Sequence, residues 1–302
     1  MPGVVAPTRI KLDSILFATD FSPSAETALS YALNLAHHYN GSVYSVNVLP
    51  HMPFIECPQV ASEQARFLME ERMAEFSASP FLRDIRHKEF IEEGEVAEVL
   101  SRLAAEHDIH LIVLGTGGRK GFGKLLLGSV AEEVFRKAEC PVLTVGPHAT
   151  RWEIEGHLRH ILYATDFGAE SLHALPYAVS LAEENHARLT MLHVALMPDV
   201  PMTEIEAGAM RVYDRDEISA ERLRHLRSLI PEANQLRQEP EYLVEFGSPV
   251  GTILKAAATA DLIVLGVKRP TVLTKHLGAG VAYKVACDAP CPVLSVSARC
   301  RD

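Results

Sequence analysis

The amino-acid sequence predicts an α/β protein made of two similar halves, each with its own open parallel sheet. Short apolar runs rich in β-branched residues alternate with longer segments of helical periodicity, a pattern typical of parallel strands joined by helical crossovers. Three blocks also occur twice in the same order, with nearly the same separation along the chain. A repeated order of this kind indicates a tandem duplication. The paired blocks are 15–21 and 161–167, 111–115 and 262–266, and 140–143 and 291–294.

The composition is that of a globular protein without attraction to polyanions. Of 302 residues, 48% are hydrophobic and 23% are charged, and the formal net charge is -10, which argues against a nucleic-acid-binding protein. The N-terminal residues lack the features of a signal peptide, and no apolar run reaches the length of a membrane span. We therefore expect a cytoplasmic protein that binds neither nucleic acid nor membrane. Five cysteines, an odd number, do not suggest a disulfide framework.

The first half is predicted to contain five strands and four helices. Ser22 and Pro23 suit the N-cap and the first position of the first helix, and Asn40-Gly41 suits its C-cap. The predicted strands are 15–19, 42–48, 85–91, 111–115 and 141–145. The predicted helices are 23–40, 61–76, 94–106 and 130–138.

The second half repeats this order. Pro176 falls inside its first helix and is expected to bend that helix or to shift its start. The polar stretch 147–157 separates the halves, which we assign to residues 1–148 and 157–302. The predicted strands are 160–165, 188–194, 241–244, 262–265 and 292–296. The predicted helices are 171–184, 206–228, 250–258 and 281–287.

A glycine-containing loop follows the buried strand 111–114. Gly115 and Gly118 can adopt positive φ and have no Cβ, so main-chain amides there could approach an anion closely. Ser129 is predicted to cap the next helix, with Glu132 completing a capping box. A phosphate could then lie between the loop amides and the helix N-terminus. The alternative is that these residues serve only as turn and cap residues.

Two familiar phosphate motifs do not fit this loop. A dinucleotide motif starting at Gly115 would need glycine where the chain has Lys120, and a P-loop starting at Gly118 has Leu125 in place of its magnesium ligand. The spacing that does fit is Gly115-x2-Gly118-x9-Gly128-Ser129. It resembles the ATP-binding signature of universal stress proteins.

The resemblance covers nearly the whole chain, because each half is similar to one universal stress domain. It implies two tandem open five-stranded parallel sheets, Rossmann-like and adenine nucleotide alpha hydrolase-like, with strand order 3-2-1-4-5. Strands one and four are then neighbours where the winding reverses, and ligands of open α/β sheets bind in a crevice at such a point.

The resemblance also implies which residues bind a nucleotide in the first half. Asp20 would contact the ribose or the base, and the Val48 main chain would pair with the adenine edge. Alternatively, Asp20 is a carboxylate that stabilises the N-terminus of the following helix, and Val48 is an ordinary core residue. Arg119, Lys120 and Lys124 could add charge near the phosphates, or could simply be solvated. The full set is Ala18, Thr19 and Asp20 for the adenosine part, Val48 for the adenine edge, and Gly115, Thr116, Gly118, Gly128, Ser129 and Val130 around the phosphates.

The second half departs from this signature. Gly266 and Asp166 are kept, but the positions of Gly118, Gly128 and Ser129 are taken by Arg269, Ala279 and Gly280, and Pro270 stiffens the turn. We therefore expect the second half to bind ATP weakly or not at all. Its basic residues could instead hold another anion or contact the other half; they are Lys268, Arg269, Lys275 and His276.

No catalytic group or metal site is indicated. His37 and His38 point about 100° apart on a helix, and no Cys/His set completes a tetrahedral site around them. No nucleophile has a local base.

By resemblance, we expect an ATP-binding regulatory module in stress response, with ATP bound with or without magnesium. A slow ATPase and a nucleotide-independent interaction protein are the alternatives. In this family the last strands of two domains pair, so we also expect an intrachain pseudo-dimer or a homodimer through them.

Overall fold

The computed structural model describes residues 10–49, 58–116, 129–152, 156–196, 203–206, 209–212, 215–230, 236–268 and 280–297. In the first half, the strands are β1 (Ser14–Ala18), β2 (Ser42–Leu49), β3 (Arg86–Glu93), β4 (Leu111–Gly115) and β5 (Val142–Val145). The helices are α1 (Pro23–His38), α2 (Pro58–Ser77), α3 (Val96–Glu106) and α4 (Ser129–Lys137).

The second half repeats this order with one addition. Its strands are β6 (His160–Thr165), β7 (Arg188–Ala195), β8 (Thr203–Glu206), β9 (Ala209–Val212), β10 (Glu241–Phe246), β11 (Leu262–Val267) and β12 (Val293–Ser297). Its helices are α5 (Ala169–Asn185), α6 (Arg215–Ser228), α7 (Pro249–Ala256) and α8 (Val281–Asp288).

Ten strands form one continuous sheet in the order β10-β7-β6-β11-β12-β5-β4-β1-β2-β3. Within each half this is the predicted order 3-2-1-4-5, and the pairs of this ten-stranded sheet that lie inside a half are parallel. The α/β fold class is therefore confirmed. The two halves are joined by an antiparallel pair, β5 with β12, in which Leu143 lies opposite Leu294.

The helices cover both faces of this sheet, and the core on each face runs through both halves. One face packs α1 and α5 over a cluster that includes Tyr31, Leu35 and Leu181. The other face packs α3 and α4 of the first half and α7 and α8 of the second. Because crossovers in each half change face after the third strand, the winding reverses between strands one and four, as expected from the order of strands.

The segment between the halves is fixed along α1. The Tyr31 hydroxyl donates to the Thr150 carbonyl at 2.8 Å, and the Trp152 amide donates to the Ser30 hydroxyl at 3.0 Å. The Tyr31 and Trp152 rings pack with centroids 5.3 Å apart. The connection is therefore packed against the first half.

The helix predicted at 206–228 is wrong in its first part. Thr203–Glu206 and Ala209–Val212 form an antiparallel pair, and the helix begins only at Arg215. In the sequence, Gly208 lies between the two segments and favours a turn between short paired strands over a continuous helix.

Two helix ends also differ from expectation. Ser129 is the first residue of α4, one position inside its predicted cap role, a difference within the usual uncertainty of helix boundaries. Helix α5 begins at Ala169 and continues through Pro176, so its start is not shifted beyond the proline.

None of the helices in the described ranges combines the length and apolar character that a membrane span requires.

Candidate functional site

The predicted crevice lies where β1 and β4 end side by side. Ala18 is paired with Leu114 in the register of these strands, so Thr19 and Asp20 leave the sheet next to Gly115. Helix α4 starts beyond the same edge, since helices in parallel crossovers run opposite to the strands. The crevice therefore brings together the predicted residues of β1, β4 and α4 that the structure describes. Gly118 and Gly128 lie outside the described residues, as do the side chains of Ser129 and Val130.

The turn from β1 into α1 is built by Thr19 and Asp20. The Thr19 hydroxyl accepts from the Phe21 amide at 3.0 Å, and Asp20 Oδ1 accepts from the Ser22 amide at 2.9 Å. Ser22 then caps α1 by accepting from the Ala25 amide at 3.3 Å. Asp20 thus stabilises the helix start with one oxygen. Its Oδ2 has no hydrogen-bond partner among the described residues, so a ligand can use it.

The main-chain N–H and C=O of Val48 point to the side of β2 on which β1 has already ended. In a parallel strand, the N–H and C=O of one residue point to the same side and alternate residues share that side. The Val46 carbonyl accepts from the Thr19 amide at 2.9 Å, so the Val48 groups also point toward β1. Strand β1 ends at Ala18, opposite Val46. The Val48 donor and acceptor therefore lie beyond the end of β1.

Asn47 lies beside this site although no sequence motif marks it. Its side-chain amide donates to the Thr19 carbonyl at 2.7 Å, and its Oδ1 is buried without a partner among the described residues. Asn47 therefore fixes the end of β1 against β2. A polar residue in an otherwise buried strand run was the signal that could have identified it.

Gly115 does not use the positive φ that a glycine permits. Among the described glycines, positive φ occurs at Gly94 and Gly247, not at Gly115. A Cβ on Gly115 would instead lie 2.5 Å from the carbonyl carbon of Ser24 and 2.7 Å from the Ala25 amide nitrogen. Gly115 is required because the first turn of α1 packs directly against the end of β4.

Thr116 anchors the start of the loop to β5. Its amide donates to the Val145 carbonyl at 2.8 Å, and its hydroxyl donates to the same oxygen at 3.3 Å. The side chain is buried. Only the lone pairs of this hydroxyl remain for a ligand, so the Thr116 side chain has no donor left to offer.

The second half has the same crevice with its carboxylate already engaged. Asp166 Oδ1 accepts from the Gly168 amide and the Ser171 hydroxyl, both at 2.9 Å, and Oδ2 accepts from the Lys268 ammonium at 2.8 Å. Burial alone would raise the pKa of Asp166, but these three donors favour the carboxylate and lower its pKa to about 2. Lys268 is thus committed to Asp166. Arg269, Lys275, His276 and Ala279 lie outside the described residues.

His193 replaces Asn47 in the second half. Its Nδ1 lies 2.9 Å from the Thr165 carbonyl, the same contact that Asn47 makes with Thr19. The Phe167 ring lies between two imidazoles, 4.3 Å from His193 and 4.1 Å from His225 between centroids. Burial, with the nearby Arg222, lowers the pKa of His193. The second crevice is therefore bordered by an aromatic stack that the first lacks at Asn47.

The described residues contain no group of three or more His, Cys, Asp or Glu side chains arranged to hold a metal ion.

The fold and the crevices define two tandem open α/β domains, each with a cleft where its winding reverses. The sequence profile of the Universal stress protein family matches residues 11–146 and again residues 157–297. The chain belongs to the universal stress protein family and contains its domain twice.

Individual relatives agree with this membership. A universal stress protein of Methanocaldococcus jannaschii is 33% identical over 141 residues, which are 43% of this chain and 80% of that protein. One from Mycolicibacterium smegmatis is 25% identical over 305 residues, 94% of this chain and 97% of that protein. The crystal structure of a universal stress protein from Archaeoglobus fulgidus matches with a TM-score of 0.70 at 20% identity, over 95% of this chain and 99% of that one. This last likeness concerns the fold alone.

Proposed function

We propose that this protein binds ATP in the crevice of its first half and acts as a nucleotide-dependent regulatory module in stress response. The observation that carries the proposal is a pair of groups at that crevice that have no hydrogen-bond partner in the described part of the chain. Asp20 keeps one carboxylate oxygen open, and the Val48 main chain points past the end of β1. Both lie where ligands of open α/β sheets bind.

These groups match the parts of an adenine nucleotide. An open carboxylate oxygen accepts hydrogen bonds from ribose hydroxyls, and a neighbouring main-chain N–H and C=O complement the acceptor and donor on the adenine edge. The first turn of α4 offers unpaired amides and the positive end of a helix dipole to phosphate. The sequence between β4 and α4 contains Gly118 and Gly128 at the family spacing.

The proposed ligand is ATP, with or without a magnesium ion. The loop carries Leu125 where a P-loop has the hydroxyl that ligates the ion, and the Thr116 hydroxyl is bonded to β5. A magnesium ion would then be held mainly by the phosphates. Because the protein offers few ligands to magnesium, we expect it to bind ATP without hydrolysing it efficiently. If the protein were an ATPase, it would produce ADP, and Gly118→Arg would abolish that activity.

The experiment is to measure the stoichiometry and affinity of ATP by calorimetry on the full chain, with two matched variants. Asp20→Ala is expected to weaken binding about tenfold or more, since a hydrogen bond to a charged acceptor contributes about 1.5–3 kcal/mol. Asp166→Ala, the matched change in the second half, should leave the affinity unchanged. One site per chain is expected.

Two results would contradict the proposal. Two equivalent sites per chain would show that the second half binds equally well. If the purified protein carries no nucleotide and its melting temperature does not change when ATP is added, the alternative of a nucleotide-independent interaction protein would be favoured. Mass spectrometry of the small molecules released by denaturation would identify the ligand directly.

The domain boundaries remain at 1–148 and 157–302 in this proposal. We also propose that the contact between last strands is made within one chain. β5 already has β4 and β12 as neighbours, and β12 has β11 and β5. A second copy therefore cannot add to either strand without breaking a pair.

A further inference from the structure

One lysine distinguishes the two crevices at the exit of the fourth strand of each half. Aligning the blocks 111–115 and 262–266 places Lys268 at the position of Gly117. The Lys268 side chain reaches across the ends of β11 and β6 to Asp166, with Nζ 2.8 Å from Oδ2. In the first half a glycine stands at this position, so no side chain from it can reach Asp20.

The hydrogen-bond inventories of the two carboxylates differ accordingly. Among the residues that the structure describes, Asp20 accepts one hydrogen bond, from the Ser22 amide. Within the same set Asp166 accepts three, and two of them go to Oδ1. Its remaining oxygen, Oδ2, is the one that faces the ammonium. A ligand hydroxyl that approaches Asp166 must therefore compete with Lys268.

We propose that Lys268 is a specificity-determining residue, which weakens nucleoside binding in the second crevice by occupying the carboxylate that the ribose hydroxyls would use. The inference rests on the proposed function, because it assumes that Asp20 binds a ribose in the first half. On this account the second crevice binds nucleosides weakly because of one ion pair, Lys268 with Asp166, and not because of larger side chains in the loop.

The size of the effect is limited by exposure. The side chains of Lys268 and Asp166 are 63% and 58% exposed, and exposed ion pairs contribute at most about 1 kcal/mol, which corresponds to about fivefold in affinity. The lysine therefore reduces occupancy of the second crevice by a measurable factor without excluding a ligand absolutely.

The test is photolabelling of the full chain with an azido-ATP analogue, followed by peptide mapping that assigns each label to a half. Lys268→Gly removes the whole side chain, and Lys268→Met keeps its length while removing the charge. Both are expected to raise labelling of the second half, relative to the first, by up to about fivefold. Lys268→Arg, which keeps the cation, should behave like the unmodified protein.

A titration of the Asp166 carboxyl by NMR supplies a second readout. Its pKa should rise from about 2 toward the ordinary range in the Gly and Met variants, and it should stay low in the Arg variant. Second-half labelling that does not change in either the Gly or the Met variant would overturn the inference. Absence of label from the first half of the unmodified protein would instead refute the proposed function, so the two failures are distinguishable.

Discussion

At the scale of single residues, Gly115 and Gly266 show how a duplicated sequence feature can be structural. A Cβ on Gly266 would lie 2.3 Å from the Glu170 carbonyl carbon and 2.3 Å from the Ser171 amide nitrogen, a contact equivalent to that of Gly115 with the start of α1. Both glycines allow the first helix of a half to pack against its fourth strand. This explains why Gly266 is kept in a half whose loop has lost the phosphate-binding pattern.

Substituting either glycine by alanine should destabilise the protein. The added methyl would collide with helix backbone, which cannot rotate away, so we expect Gly115→Ala and Gly266→Ala each to lower the free energy of unfolding by about 2 kcal/mol. Urea titration would measure this. Gly251→Ala is the matched control, because a Cβ there meets open space inside α7, and it should stabilise by up to about 1 kcal/mol. Equal effects at all three sites would contradict the packing role.

At the scale of elements, the turn from first strand to first helix has the same backbone conformation in both halves. Phe21 and Phe167 have φ of 57° and 59°, and in each turn a threonine hydroxyl accepts from the phenylalanine amide. One difference is the residue on the second strand that holds the turn, Asn47 or His193. A neutral imidazole can make the same hydrogen bond to the strand end as the Asn47 amide, but it gains a proton and a charge in acid.

The second-half turn should therefore weaken in acid. Burial lowers the pKa of His193, helped by Arg222 and His225 and opposed by Asp166 and the Thr165 carbonyl. A group with a depressed pKa binds its proton more readily in the unfolded chain, so its contribution is complete above pH 6.5 and declines as the pH falls below it. His193→Asn, which copies the first half, should reduce the loss of stability between pH 7 and pH 5.

Urea unfolding at the two pH values would check this. His157→Asn is the control, because His157 is exposed and its replacement should leave the pH dependence unchanged. The interpretation fails if His193→Asn shows the same acid sensitivity as the unmodified protein.

At the scale of the whole molecule, the halves share one sheet and one core on each face of it. The sheet is continuous through β5 and β12, where the Thr144 hydroxyl also donates to the Val293 carbonyl at 3.3 Å. The core cluster beneath α1 and α5 contains residues of both halves. Unfolding one half would expose an unpaired strand and a large apolar surface of the other.

We therefore expect a mutation at the junction to destabilise both halves together. Leu294 is buried opposite Leu143, and Leu294→Ala should lower the free energy of unfolding by about 2–5 kcal/mol. Fluorescence of Trp152, the chain's one tryptophan, and far-UV circular dichroism should report coincident transitions. Leu196→Ala, at an exposed site, should change stability by less than about 0.5 kcal/mol. Two separated transitions would show that the halves unfold independently.

Much of the fold was predictable because it depends on local patterns. Buried runs such as Leu111–Leu114 and capped helices such as the one after Ser22 specify strands and helices through periodicity and backbone chemistry. The helix predicted over Ala209–Val212 is wrong because a segment of four residues carries too little periodicity to distinguish a strand from a helix. The candidate site is only partly predictable, since its residues follow from a resemblance and Asn47 belongs to no motif.

The sequence by itself determined the alternation of strands and helices, the duplication, and the residues that end strands one and four of each half. Only the tertiary structure showed that the two sheets merge through β5 and β12, that Gly115 makes room for a helix, and that Lys268 pairs with Asp166. These features depend on contacts between segments far apart in the chain. Local sequence fixes the conformation of each segment, but the distance between a lysine and a carboxylate a hundred residues earlier is set by the packing of all the strands between them.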